Sequence, residues 1–321
     1  MSASDSSSRP SRTPPSPDLI ADVAVALGVD EGFVEKDWHV VQVLSGLAGL
    51  VHGEWRPAFG GGTSLSKAYG AIQRFSEDID FKIAPVAGHG SVGKDLNRSG
   101  RRAIRNSVIS TLDLIGYPID GEKTVVRDES SFFEVRIPFT PTFPHKGLRP
   151  DIKLEMTLAE PAVETEAMAV SSFVATFTRS DPEVAAIECV SRLETAAEKL
   201  SALCWRIPEH HGREDRDPTI IRHLHDIAIL GPDVAGDATL QRLLKTCLAR
   251  DSSRGSERGA NRPKAPDELF ELTCALLTNE IYRMDYEHFV HNASYHQDPI
   301  GFDEALASLR RLTGSFSNQL S

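Results

Sequence analysis

Two short runs of this chain combine residue types that can do chemistry. The first is Phe59-Gly60-Gly61-Gly62-Thr63-Ser64-Leu65-Ser66-Lys67, and the second is Arg74-Phe75-Ser76-Glu77-Asp78-Ile79-Asp80-Phe81. Three consecutive glycines weaken a helix or a strand, so they mark a turn where the backbone comes close to something or takes positive φ. A phosphate suits that place. The spacing predicts a helix over residues 64–71, whose free N–H groups and positive dipole end form an anion site. Gly61, Gly62, Ser64 and Lys67 are therefore the candidate phosphate-binding residues.

The second run alternates with period two, so Ile79, Phe81 and Ile83 should face a core while Asp78, Asp80 and Lys82 face away. Two carboxylates then project side by side. They repel and raise each other's pKa unless a cation lies between them, and hard oxygen ligands suit Mg²⁺ or Mn²⁺. A phosphate cradle beside a metal cradle is the layout of phosphoryl or nucleotidyl transfer. Either half alone is weak, because most glycine clusters are loops and most Asp-x-Asp pairs lie on solvated strand faces. Their order, one helix length apart, is the stronger signal. No Gly-Lys-Ser/Thr closes the glycine run, which excludes a P-loop, and the spacing of a dinucleotide-binding Gly-x-Gly-x-x-Gly is missing.

Gly61-Gly62-Thr63-Ser64-Leu65-Ser66-Lys67 and Arg74-Phe75-Ser76-Glu77-Asp78-Ile79-Asp80 resemble the first motif of the AbiEii/AbiGii toxins, nucleotidyltransferases of the DNA polymerase β superfold that act in type IV toxin–antitoxin systems. The resemblance implies an α+β fold: a polymerase β-like nucleotidyltransferase domain with a mixed sheet, followed by an α-helical domain. It implies a third carboxylate on a neighbouring strand. Glu155 is the choice, since Ile152-Lys153-Leu154-Glu155 is similar to the corresponding strand of the family, with Asp78, Asp80 and Glu155 as metal ligands. In the same way Glu194 to Leu203 resembles the motif whose lysine is catalytic, which is Lys199 here, and Arg222-His223-Leu224-His225-Asp226 resembles the motif that ends in an aspartate.

Without the family, Lys199 between Glu194 and Glu198 is ordinary helix-surface pairing, and Asp226 is an acid on an apolar helix end that needs Lys199 or a metal as partner. With it, Asp80, Lys199 and Asp226 are the catalytic candidates. The segment Glu35-Lys36-Asp37-Trp38 also resembles a family helix, expected to pack beneath the sheet with its charges in water. The family further implies a nucleoside triphosphate substrate, the 3′ end of tRNA as acceptor, and a cognate antitoxin encoded nearby. Transfer to a protein side chain or a small molecule, or a non-catalytic nucleotide- or RNA-binding module, are the rival readings.

The elements that must position these residues follow from periodicity. Helices are expected over residues 18–27 and 31–51. A further helix over 94–115 carries Arg98, Arg101, Arg102 and Arg105 at i, i+3, i+4 and i+7, a stripe that could hold RNA phosphates or serve only as a solvated face. Strands are expected over 123–127, 131–139, 148–158 and 171–178, and helices over 182–205, 218–230, 237–249, 266–282 and 302–314. The expected division is a disordered tail at 1–17, the nucleotidyltransferase domain at 18–180 and the α-helical domain at 181–321.

At 321 residues the chain can bury a sizeable core, and its 40% hydrophobic and 25% charged residues are those of a globular protein. No apolar run reaches the roughly 18 residues of a membrane span, and the Ser/Pro-rich start lacks the apolar region of a signal peptide. Cys189, Cys204, Cys247 and Cys274 stand apart without a Cys-x-x-Cys, as reduced core thiols of a cytoplasmic protein would. The net charge of −11 argues against nonspecific coating of nucleic acid but leaves room for local basic patches. The run Pro208-Glu209-His210-His211 is a connector, because adjacent loop histidines lack the i, i+4 spacing of a helical zinc pair. The basic stretch 251–266 is expected to be disordered.

Overall fold

The computed structural model describes residues 13–86, 96–119, 124–128, 131–145, 147–254 and 265–320. The expected tail over 1–17 thus lies mostly outside the described residues, as do residues 87–95 and most of the basic stretch after 251. Pro17 already belongs to the first helix, α1 (Pro17–Leu27), where it follows the capping residue Ser16.

After α1 come α2 (Glu31–Ala48), β1 (Trp55–Gly60), α3 (Gly61–Lys67), β2 (Asp78–Pro85), α4 (Arg98–Leu114), β3 (Thr124–Arg127), β4 (Phe132–Pro138) and β5 (Asp151–Thr157). Next are β6 (Glu166–Val170), α5 (Phe173–Thr178) and β7 (Val184–Cys189). The rest is helical: α6 (Arg192–His210), a 3-10 turn (Pro218–Ile221), α7 (Arg222–Val234), α8 (Ala238–Arg254), α9 (Pro266–Leu276), α10 (Glu280–Ala293) and α11 (Phe302–Leu320). The mixed α+β fold with trailing helices is as expected.

The described strands form one sheet in the order β3-β4-β5-β2-β1-β7-β6. It is mixed: β1 runs antiparallel to β2, β2 parallel to β5, and β1 parallel to β7. Ile79, Phe81 and Ile83 of β2 and Ile152, Leu154 and Met156 of β5 sit in one core with Val40, Leu44 and Leu47 of α2 and Ile104, Val108 and Leu112 of α4. The alternation read from the sequence is therefore real, and the other face of these strands looks toward α6. A second core joins α6 to α11 and takes in Leu65 and Ile72 from the segment between β1 and β2.

The helix expected over residues 64–71 lies instead at Gly61–Lys67, with Gly61 and Gly62 inside it, and three further local expectations fail. Residues 173–178 form α5 and not a strand, although β-branched residues and phenylalanine favour one. The first turn is secured from outside: Ser172 Oγ accepts from Ala175 N at 3.0 Å, and an Asp37 carboxylate oxygen accepts from Phe173 N at 2.7 Å. The helix expected from residue 182 begins only at Arg192, because Val184–Cys189 is β7, the parallel neighbour of β1. The sheet consequently runs past the division placed at residue 180. Between residues 266 and 293 the chain forms two helices, with Asn279 capping the second.

The charges of Glu35, Lys36 and Asp37 are not in water; these residues are 5%, 0% and 4% exposed. Each ties α2 to a different segment. Glu35 accepts from Thr142 N and Phe143 N at 2.7 and 2.8 Å. Lys36 pairs with Glu77 and donates to Arg149 O at 2.7 Å, while Asp37 pairs with Lys67 at 2.7 Å.

Candidate active site

Strand register assembles the site. Gly60 lies opposite Asp80 across β1 and β2, and Asp80 opposite Glu155 across β2 and β5, so the glycine turn and two carboxylates form one row across three strands. One step along the same face, Asp78 lies opposite Lys153. Above this row, α6 and α7 close a cavity of about 510 Å³. Gly61, Gly62, Asp78, Asp80 and Glu155 line it from the sheet side, with Lys199, Arg206, Arg222 and His223 opposite.

The glycines are required here for the positive φ and close approach expected of them, and what approaches them in the structure is the second run. Gly61 has φ +72, and a Cβ on it would stand 1.9 Å from Asp80 Oδ2. A Cβ on Gly62 would stand 2.6 Å from Arg74 Nη2. Side chains of the second run occupy the space a larger residue would need, which locks the two runs together. Thr63 adds to this by donating its hydroxyl proton to Asp78 O.

Two expected phosphate ligands lie elsewhere. Lys67 is turned away from the cavity; its Nζ pairs with Asp37 at 2.7 Å and stands 3.9 Å above the Phe173 ring. Its place at the end of α3 points it back to α2 and α5. The Ser64 side chain is fully buried under the turn and does not line the cavity, whereas Ser76 does.

Asp226 is also absent from the lining. It is fully buried on α7, where it accepts from Arg74 Nε and Nη2, both at 2.7 Å, and pairs with Lys199 Nζ at 2.8 Å. Burial alone raises its carboxyl, but the charges of Arg74 and Lys199 outweigh that and hold it well below the usual carboxylate range. Asp226 thus adjoins the cavity through its two cation partners, both of which line it. Burial lowers the Lys199 ammonium, with the Asp226 charge opposing. His223 is held neutral, its pKa well below the ordinary value through burial and the charges of Lys199 and Arg222.

Burial, then the charges of Glu155 and Asp78, push the Asp80 carboxyl up to about 7, and it shares a hydrogen bond with Glu155. Burial acts the same way on Asp78, yet Lys153, Arg149 and Arg222 outweigh it and hold that carboxyl below its usual value. Asp78 is drawn onto these cations, and among the described residues no three acidic, histidine or cysteine side chains are gathered as a metal-ion site. The donors nevertheless fit a hard divalent cation. Asp80 and Glu155 lie opposite each other on neighbouring strands and offer carboxylate oxygens to the cavity, with Asp78 next to them on the same face.

Residues that the sequence reading left without a role are Arg74, Ser76, Lys82, Arg149, Lys153 and Arg206. Lys82 reaches from β2 to Glu194 at 2.5 Å and Glu198 at 2.7 Å, which fixes α6 over the sheet. Arg74 had a usable signal: an arginine four residues before Asp78 on a chain that returns to the same turn.

A family model described as "Nucleotidyl transferase AbiEii toxin, Type IV TA system" matches residues 45–308. No curated protein matches the sequence. Among solved structures, the fold is similar to that of MenT4, the nucleotidyltransferase toxin Rv2826c from Mycobacterium tuberculosis H37Rv, with a TM-score of 0.56 and 17% identity over 93% of this chain and 89% of that one.

Proposed function

Since the chain belongs to the AbiEii family of nucleotidyltransferase toxins of type IV toxin–antitoxin systems, we propose that it transfers a nucleoside monophosphate from a triphosphate to the 3′ end of a tRNA, in a metal-dependent reaction that blocks translation. The observation that carries this reading is the row Gly60, Asp80 and Glu155 across β1, β2 and β5, facing Lys199 over the cavity. A nucleotidyl transfer needs no protein nucleophile; it needs a held triphosphate, an aligned hydroxyl and neutralised charge.

Asp80 and Glu155, joined by Asp78, would hold Mg²⁺ or Mn²⁺, which when bound supplies charge neutralisation at the phosphates and lowers the pKa of the attacking hydroxyl. The chain's own groups do the rest. Lys199 and Arg222 present positive charge to the phosphates from the helical wall, and Gly61 and Gly62 let the triphosphate approach the backbone. Asp226 is a positioning residue: its bidentate bond to Arg74 and its pair with Lys199 fix both cations in the cavity wall. Lys67 and Ser64 have structural roles.

In a direct test, purified protein is incubated with Mg²⁺ and each labelled triphosphate in turn, with total tRNA, casein or nucleosides as acceptors. Label on tRNA alone supports the reading; label on protein or a small molecule overturns the acceptor while leaving the transferase. A cognate antitoxin encoded nearby and a cytoplasmic location belong to the same proposal. No described helix is long and apolar enough to cross a membrane.

A further inference from the structure

Asp78 is expected to share a metal with Asp80 and Glu155, yet its carboxylate already has partners. Arg149 Nη2 is bonded to Asp78 Oδ1, Lys153 Nζ lies 3.5 Å from Oδ2, and Arg222 Nη1 lies 3.7 Å from the same oxygen. Of these, Arg149 is the most deliberately placed. It precedes β5, and its main chain is fixed at both ends: its N–H donates to Glu77 Oε2 at 3.3 Å, and its carbonyl accepts from buried Lys36 Nζ at 2.7 Å. Lys36 also pairs with Glu77.

The guanidinium itself is only half used. Nη2 bridges Asp78 and Glu77, the latter at 3.1 Å, while Nε is buried without a hydrogen-bond partner. Glu77 and Asp78 are adjacent, so the arginine can give up one carboxylate and remain on the other. An arginine rooted by its main chain, with a second acid to retreat to, suits a two-position counter-ion better than a static strut.

We propose that Arg149 is an internal counter-ion that competes with the divalent cation for Asp78, holding that carboxylate when the ion is absent and falling back on Glu77 when the ion binds. The inference rests on the metal-dependent reading above. A guanidinium on a metal ligand neutralises the charge that would attract the ion and must be displaced, so it weakens binding of the free ion. It also spares the resting site the mutual repulsion of Asp78 and Asp80.

The test is Mn²⁺ binding to the full chain, read from the electron paramagnetic resonance signal of unbound Mn²⁺, in wild type, Arg149→Gln, Arg149→Lys and Asp80→Asn. Arg149→Gln keeps the main-chain anchors and removes the competing charge, so it should bind Mn²⁺ about three- to tenfold more tightly. Arg149→Lys keeps the charge and should stay near wild type, and Asp80→Asn should bind poorly. Damage to the fold lowers affinity, so a gain cannot come from misfolding. Unchanged or weaker binding by Arg149→Gln, with wild-type binding that depends on Asp80, would overturn the role of Arg149 alone. Binding that ignores Asp80, or no binding by any variant, would overturn the metal reading and this inference together.

Discussion

At the level of single residues, Asp80 combines burial with the nearby charges of Glu155 and Asp78, which push its carboxyl up to about 7. An acid raised in this way retains, in the folded chain, a proton that the unfolded chain has already lost. Between about pH 4 and pH 7 each rise in pH therefore reduces stability, and above pH 7 the whole cost is present. Asp80→Asn copies the protonated form, so it should raise the melting temperature at pH 8 by about 5 °C, raise it much less at pH 4, and abolish transfer. Calorimetry at the two pH values checks this, and an equal shift at both would contradict it. The two lysines separate in a similar way. Lys199→Ala should lower turnover by about a hundredfold or more, because it removes a positive charge from the cavity wall. Lys67→Met leaves buried Asp37 unpaired and should cost about 3 kcal/mol of stability in urea titrations while the Michaelis constant for the triphosphate stays close to that of wild type. A large rise in that constant would return Lys67 to the phosphates.

At the level of elements, what the sequence revealed depended on whether the cause was local. The alternation in β2 and β5 is written into consecutive residues, so the facing of Asp78, Asp80 and Glu155 could be read directly. The first motif brought Gly61, Gly62 and Asp80 together correctly, but the reason for the glycines is the Asp80 and Arg74 side chains, which the chain order does not display. α5 was misread because its helical state depends on Asp37, 136 residues away in sequence, accepting from Phe173 N. β7 was misread as the start of a helix, although Ser191, whose Oγ accepts from Glu194 N at 3.1 Å, marked the true N-terminus of α6. The burial of Glu35, Lys36 and Asp37 was illegible for the same reason as α5: every partner is distant. It follows that α2 is a framework element that organises the loops around the site. Glu35→Ala would leave Thr142 N and Phe143 N without their acceptor and should cost about 2 kcal/mol or more, measured by chemical unfolding, with Asp78, Asp80 and Glu155 untouched. A neutral effect would show that water replaces the carboxylate.

At the level of the whole molecule, the site lies between a sheet that supplies the acids and a helical wall that supplies the cations, with Arg74 and Asp226 joining the two. An overall charge of −11 means that an RNA acceptor must find local positive surface. Arg206 and Arg222 provide it at the cavity, and Arg98, Arg101, Arg102 and Arg105 on α4 lie outside the cavity lining. If α4 carries the body of a tRNA, Arg101→Ala with Arg105→Ala should raise the Michaelis constant for tRNA more than that for the triphosphate and should flatten its dependence on salt. No change in either would make the stripe a solvated helix face. The central claim, that the Asp80–Glu155 row transfers a nucleotide to an RNA 3′ hydroxyl, is tested most directly by incubating wild type and Asp80→Ala with Mg²⁺, α-labelled triphosphates and tRNA, either intact or with its 3′ diol oxidised by periodate. The account predicts label on intact tRNA from wild type, none on oxidised tRNA, and none from Asp80→Ala. Undiminished labelling by Asp80→Ala, or labelling of oxidised tRNA, would contradict it.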